Sequence, residues 1–150
     1  MSWALILGAL AGLATVVQGG LNRRLSETNG LAMATLINGV ATLVVAAALY
    51  GLILVWPQKF PELLHVRGNL GSDFRAWYVV PGILGFIIVV GLPLSIAYIG
   101  ATKTFLIMLG FQMLGSLAWD AFLEGQAIST ARLVGVALAL GGATLAALRG

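Results

Sequence analysis

Five apolar runs separated by polar stretches make up most of the chain. Three runs are long, and two, at residues 3–17 and 133–148, are shorter than a membrane crossing. A transmembrane helix needs roughly 20 residues to cross a hydrocarbon core about 30 Å thick, so the short runs must include polar neighbours. The pattern predicts an all-α membrane protein with five transmembrane helices, at residues 2–22, 31–56, 77–99, 103–122 and 129–148.

The connections between the predicted helices are mostly short. Residues 77–122 are too long for one crossing, so the sequence GATK at residues 100–103 predicts a tight hairpin. Residues 57–76 carry two prolines, the single histidine and five charges, and we expect them to lie outside the membrane. No basic stretch precedes the first apolar run, so we expect that helix to be retained and not removed as a signal peptide. The chain is predicted to form one domain, residues 1–150.

Composition supports membrane integration. Hydrophobic residues make up 60% of the chain, charged residues only 9%, and the mean hydropathy is +1.03. Soluble domains carry about 25% charge. There is no cysteine, which excludes disulfides and thiolate metal sites. The sequence pI is 9.8, but the basic residues are scattered between apolar runs, so nucleic acid is not an expected partner.

Basic residues divide evenly between the two sides of the predicted membrane. Five crossings place the termini on opposite sides, and each side then has four Lys or Arg residues. They are Lys59, Arg67, Arg75 and Arg132 on the N-terminal side and Arg23, Arg24, Lys103 and Arg149 on the other. Orientation follows an excess of basic residues on the cytoplasmic side, so an even division predicts insertion both ways and an inverted dimer. Chance is the alternative explanation.

Polar residues within the apolar runs recur at helical spacings, on narrow faces. Six of them are candidate substrate-binding residues: Gln18, Asn22, Asn38, Gln112, Ser116 and Asp120. The alternative is that these groups only join helices through hydrogen bonds, each contributing about 0.6 kcal/mol. Gln112 is the strongest candidate because it falls near the middle of the fourth helix, and transporters tend to place substrate sites near the bilayer midplane.

Asp120 is the only acidic residue within an apolar run, and it lies two residues from the predicted end of the fourth helix. A solvated interfacial carboxylate and a buried functional one both remain open. A carboxylate near a helix C-terminus opposes the helix dipole and requires a partner. Arg132, at the start of the fifth helix, is the candidate partner for an ion pair.

Small residues spaced by four allow helices to approach closely in lipid, where no hydrophobic force drives association. The fifth helix has five such residues and the first has two: Ala131, Gly135, Ala139, Ala143 and Ala147, with Gly8 and Gly12. We expect Gly135, Ala139, Ala143, Gly8 and Gly12 to form the dimer interface. In a chain rich in alanine and glycine, chance is the alternative for the first helix.

Four segments resemble the YdcZ family of small bacterial inner-membrane proteins, within the drug/metabolite transporter superfamily. They are QGGLNRRL at residues 18–25, WYVVPGILGF at 77–86, GFQMLGSLAWD at 110–120 and RLVGVALALGG at 132–142. The resemblance implies a five-helix inner-membrane protein that pairs head-to-tail, with itself or with an oppositely oriented homologue. It implies no particular substrate.

Some site positions of the family can be carried over through this resemblance. They fall on Gln18, Asn22, Gln112, Asp120, Arg132 and Gly135. The chain departs from the family at Pro81, where members often have glycine, and at Ala121, where histidine often follows the acid. These departures argue against a proton relay through Asp120. The small multidrug exporters of the superfamily have a membrane-embedded glutamate in the first helix, where this chain has only Gln18, so proton-coupled export of lipophilic cations is not expected.

These observations favour a small secondary transporter, an exporter or exchanger of a small polar or amphipathic metabolite, that alternates access as an inverted dimer. No Gly-rich Lys-Ser/Thr loop is present, so ATP is not the expected energy source. A passive channel and an accessory membrane subunit are the alternatives. We predict no enzyme, cofactor or metal site, because no set of acid-base or nucleophilic residues is evident. The expected partners are a second copy, the lipid bilayer and a small-molecule substrate.

Overall fold

The fold is built from helices. The computed structural model describes residues 2–66 and 74–149. Five long helices follow in order: α1 (Ser2–Asn29), α2 (Leu31–Val55), α3 (Val80–Ile99), α4 (Ala101–Phe122) and α5 (Thr130–Arg149). Short 3₁₀ turns occupy Pro57–Lys59, Glu62–Leu64 and Ala76–Val79. The prediction of an all-α membrane fold with five helices is confirmed over these residues.

Four of the helices are long and apolar enough to cross a membrane, as judged by length and composition. They correspond to Trp3–Asn29, Leu31–Val55, Ala76–Ile99 and Ala101–Phe122. In the fifth helix the apolar stretch is shorter and covers Thr130–Ala146. Large apolar side chains are widely exposed, among them Leu5 at 74% and Phe122 at 86%. Such a surface suits contact with lipid or with another apolar chain.

α1 is longer than predicted. It continues to Asn29, whereas the sequence pattern placed its end at residue 22. Residues 21–29 contain no glycine or proline, and Arg23 Nη2 lies 2.8 Å from Glu27 Oε1 one helical turn away. Ion pairs at this spacing stabilise a helix by about 0.2 to 0.5 kcal/mol. The apolar pattern could not show this extension because the added turns are polar.

Single glycines link α1 to α2 and α3 to α4. Gly30 has φ 79° and ψ 153°, and Gly100 has φ 82° and ψ 160°. This backbone region is essentially restricted to glycine, because a Cβ would be strained there. The hairpin predicted at residues 100–103 is therefore tighter than expected, with α4 beginning at Ala101.

The chain divides into two compact units. One consists of Met1–Gly20 with Leu94–Gly150, and the other of Leu21–Pro93. In the first unit α4 packs against α5. Gly110 lies at this contact, since a Cβ added to it would come within 2.9 Å of Leu140 Cδ2. A small residue at position 110 thus lets the two helices approach closely.

The second unit has its own small buried set. Ala34 and Ile53 of α2 and Leu92 and Pro93 of α3 are buried there. Pro93 lies inside α3, and a buried proline in a helix removes one backbone donor. Pro81, by contrast, is the second residue of α3, in the first turn, where a missing N–H is tolerated.

Candidate functional site

A pair of asparagines joins α1 to α2 in the second unit. Asn38 Nδ2 donates a hydrogen bond to Asn22 Oδ1 at 3.3 Å, and Asn22 is only 8% exposed. Both residues lie eight positions from Gly30, so the antiparallel hairpin brings them to the same level. Each amide has two N–H donors and a carbonyl acceptor, so the one bond leaves polar groups for water, another residue or a solute.

Gln112 occupies a different environment. It lies halfway along α4 and is exposed, on the side of the helix away from Gly110 and Leu117, which are buried. Within the part of the chain that the structure describes, its amide has no hydrogen-bond partner. An amide left unpaired in an apolar environment costs about 1 to 3 kcal/mol. In a single protomer the Gln112 amide therefore has no hydrogen-bond partner among the described residues, halfway along α4.

Ser116 and Trp119 follow Gln112 on the same face of α4, one and two turns along, and both are exposed. The Ser116 hydroxyl donates to the Met113 carbonyl oxygen at 2.9 Å, within its own helix. Trp119 Nε1 donates to Glu124 Oε1 at 3.2 Å. Trp119 was not among the polar residues selected from the sequence, although its spacing of seven residues from Gln112 indicates the same helix face. We name Gln112, Gly115, Ser116 and Trp119 the Gln112 face.

Gln18 is exposed as well, in the first unit, and has no hydrogen-bond partner among the described residues. In α1 the nearby Thr15 hydroxyl donates to the Ala11 carbonyl oxygen at 2.8 Å and is satisfied within its own helix. Gln18 and Gln112, which both belong to the first unit, thus present free donors and acceptors on the protomer surface.

Asp120 and Arg132 form an ion pair between the end of α4 and the start of α5. Arg132 Nη1 lies 2.8 Å from Asp120 Oδ2, and the side chains are 44% and 30% exposed. Each charge opposes the dipole of its own helix, so their pairing offsets two unfavourable placements. Ser129 caps α5, since its hydroxyl oxygen accepts from the Arg132 backbone N–H at 3.3 Å. A pair this exposed contributes about 0 to 1 kcal/mol.

A hydroxyl pair lies beside the Gly100 link and was not among the sequence candidates. Thr104 is 4% exposed, and its Oγ1 lies 3.0 Å from Ser95 Oγ and 2.8 Å from the Gly100 carbonyl oxygen. The nearly equal spacing of Ser95 and Thr104 from Gly100 is the sequence signal that indicates such a pair. Because Thr104 also bonds within its own helix, it does not depend on Ser95.

The small residues expected at a dimer interface do not share one environment. Around Gly8, Gly12 and Gly135 the space is open, with no atom within 4 Å of an added Cβ. Ala139 and Ala143 are partly buried in the protomer, and Ala143 lines a groove between α4 and α5. Residues spaced by four rotate by about 40° around a helix at each step, so Gly135 and Ala143 point about 80° apart. The interface stays a prediction.

The described residues contain no group of three or more His, Cys, Asp or Glu side chains that could hold a metal ion. Residues 3–145 match a family model described as "Putative inner membrane exporter, YdcZ". The chain belongs to the YdcZ family.

A curated relative in this family is the inner membrane protein YdcZ of Escherichia coli (strain K12). It is 28% identical to the chain over 113 residues, covering 75% of the chain and 70% of the relative. No solved structure gave a significant match. Family membership and the apolar helices make this chain a multi-pass protein of the inner membrane. They support a transporter or exporter in general, in keeping with a non-enzymatic function.

Proposed function

We propose that this YdcZ-family protein is a secondary transporter that exports or exchanges a small polar or amphipathic metabolite. It works as an inverted dimer, with a second copy or with an oppositely oriented homologue, and alternates access by rocking one subunit against the other. The observation that carries the proposal is the Gln112 amide, exposed halfway along a transmembrane helix with no hydrogen-bond partner among the described residues.

Lipid cannot satisfy that amide, so another subunit, water or a solute must do so. An in-plane two-fold axis exchanges the two membrane faces and leaves the middle of α4 near the centre of both subunits. The Gln112 side chains of both subunits then lie at the same depth, near the bilayer midplane. By the same symmetry, Gln18 of one subunit reaches the depth of the partner's Asp120. Asn22, Asn38 and Ser116 remain predicted substrate-binding residues.

The chemistry of these groups narrows the solute class. Two neutral amides and a hydroxyl recognise hydrogen-bonding groups without demanding a net charge. Trp119 adds an aromatic surface to the Gln112 face, with its N–H held by Glu124. A neutral or zwitterionic solute with an apolar part fits this combination. Asp120 remains a candidate contact, with its charge offset by Arg132.

The test begins with a thermal-shift screen on the purified full chain to find a stabilising solute. Gln112→Ala should then weaken binding of that solute by tenfold or more and leave the unfolding free energy of the empty protein nearly unchanged. One lost hydrogen bond to a ligand is worth about 1 to 3 kcal/mol. Binding is measured by calorimetry, and transport by counterflow into proteoliposomes.

Gln126→Ala is the matched control, because this glutamine lies in the exposed loop between α4 and α5. It should change neither binding nor transport. If Gln112 only joins helices, its alanine variant loses about 0.6 kcal/mol of stability and binds solute normally. A Gln112→Ala protein with normal binding and transport contradicts the assignment. In the counterflow assay, solute on the opposite side of the membrane should accelerate transport if the protein is a carrier. Transport without this acceleration indicates a channel.

A further inference from the structure

A groove runs between α4 and α5 within the first unit, with a volume of about 460 Å³. Its walls are almost wholly apolar: Leu106, Ile107, Phe111, Leu114, Leu140 and Leu148. Thr144 also lines it, but its hydroxyl donates to the Leu140 carbonyl oxygen at 2.8 Å. An apolar molecule in the groove would therefore leave the Thr144 hydroxyl with its hydrogen bond intact.

Close helix packing forms part of the groove. Gly110 lines it, and Leu140 Cδ2 lies where a side chain at position 110 would have to fit. Ala143, one turn along α5 from Leu140, also lines the groove. Gly110 lets Leu140 pack closely against α4, and the small side chain of Ala143 leaves space between the larger side chains.

Lys103 lines one end of the groove, in the first turn of α4 and three residues from the Gly100 link. Since Gly100 ends a transmembrane hairpin, this end lies near the lipid headgroups. No carboxylate among the described residues lies within ion-pair distance of Lys103. The groove thus combines a cation at headgroup level with an apolar channel that leads away from it.

The length of the groove favours a lipid over a protein helix as its occupant. Along α4 it extends from Lys103 to Leu114, 11 residues, or about 16 Å at 1.5 Å per residue. Half of a hydrocarbon core about 30 Å thick is about 15 Å. The groove therefore spans one leaflet, whereas a helix of a second copy would need a track across both leaflets.

We propose that this groove binds one anionic phospholipid, with an acyl chain between α4 and α5 and the phosphate at Lys103. Burial of each methylene contributes through the apolar walls, and the lysine selects the charged headgroup. The site is separate from the Gln112 face, which lies on the other side of α4, and does not depend on the transport proposal.

Native mass spectrometry of the purified full chain, titrated with phosphatidylglycerol or phosphatidylcholine, tests this site. One phosphatidylglycerol should bind in preference to phosphatidylcholine. Lys103→Gln should weaken phosphatidylglycerol binding about fivefold, the effect expected of one lysine near an anionic surface. Ala143→Trp, which fills the groove, should weaken both lipids on the order of tenfold.

The controls separate this site from general adhesion of lipid. Lys103→Arg should bind phosphatidylglycerol normally, and so should Ala146→Trp, which lies three residues further along α5 and does not line the groove. Circular dichroism checks that each variant remains helical. Equal binding of both lipids, or a Lys103→Gln variant that binds phosphatidylglycerol normally, overturns the proposal. The proposal is also overturned if inorganic phosphate alone displaces phosphatidylglycerol. It is likewise overturned if the Ala143→Trp variant loses its dimers but still binds lipid normally.

Discussion

The two glycine-linked hairpins have nearly the same turn but are held together differently. Gly30 and Gly100 share one backbone conformation, and each joins two long helices without any other residue between them. The amide pair of the first hairpin, Asn22 and Asn38, lies eight residues from its glycine on both sides. The hydroxyl pair of the second, Ser95 and Thr104, lies only five and four residues away.

This difference in distance changes what each hydrogen bond does. Close to a one-residue link, the chain itself already holds two helices together, and a hydrogen bond adds little. Two turns away, the link constrains the helices less, so the amide pair helps to set their packing. Thr104 also has the Gly100 carbonyl oxygen as an acceptor, whereas Asn38 has no other partner among the described residues.

The largest loss of stability is expected at the glycine links, which both hairpins share. Gly30→Ala and Gly100→Ala should each destabilise the protein by about 1 to 3 kcal/mol, because alanine is strained at these backbone angles. No neighbouring atom lies within 4 Å of an added Cβ at either position, so the loss comes from the backbone alone. Unfolding by a denaturing detergent, followed by circular dichroism, measures this change.

Gly39→Ala is the matched control, since Gly39 lies inside α2 with similar open space around it. Alanine there should stabilise the helix by up to about 1 kcal/mol. Equal effects at positions 30, 39 and 100 would show that the links have no special conformation.

An intermediate effect is expected at the amide pair. Asn22→Leu should cost about 1 to 2 kcal/mol, because it leaves the Asn38 amide unpaired in an apolar region. The double variant Asn22→Leu/Asn38→Leu should recover most of this loss, since replacing both partners removes the unmet group. The same unfolding assay measures it. If the double variant is as unstable as the sum of the single ones, the two amides do not depend on each other.

The smallest effect is expected at the hydroxyl pair. Ser95→Ala should cost at most about 0.6 kcal/mol, the average for a hydrogen bond between membrane helices. Thr104 keeps its bond to the Gly100 carbonyl oxygen in this variant. A loss as large as that of Asn22→Leu, in the same assay, would remove the distinction between the two hairpins.

The sequence predicts the helices well because lipid demands long apolar runs, and those runs are visible without any tertiary information. It misses the extension of α1 to Asn29, where polar residues continue a helix beyond the apolar run. Helical spacing places Asn22 and Asn38 on narrow polar faces of their helices, but only the one-residue link at Gly30 brings them level.

The candidate site is harder to predict than the helices. The depth of Gln112 follows from counting along α4, but its exposure depends on which side of α4 contacts α5. The same rotation separates the small residues of α5, so that Gly135 is open while Ala143 lines the groove. Helix rotation depends on packing details that spacing alone does not contain.

The length of α1 makes bilayer thickness a variable for this protein. Its 28 residues measure about 42 Å, against about 30 Å for the 20 residues of α3. In an upright position α1 exceeds a hydrocarbon core of about 30 Å by about 12 Å, the length of the eight residues 22–29. A thicker membrane draws the polar end of α1 toward the lipid and favours an upright helix, and a thinner one favours tilt.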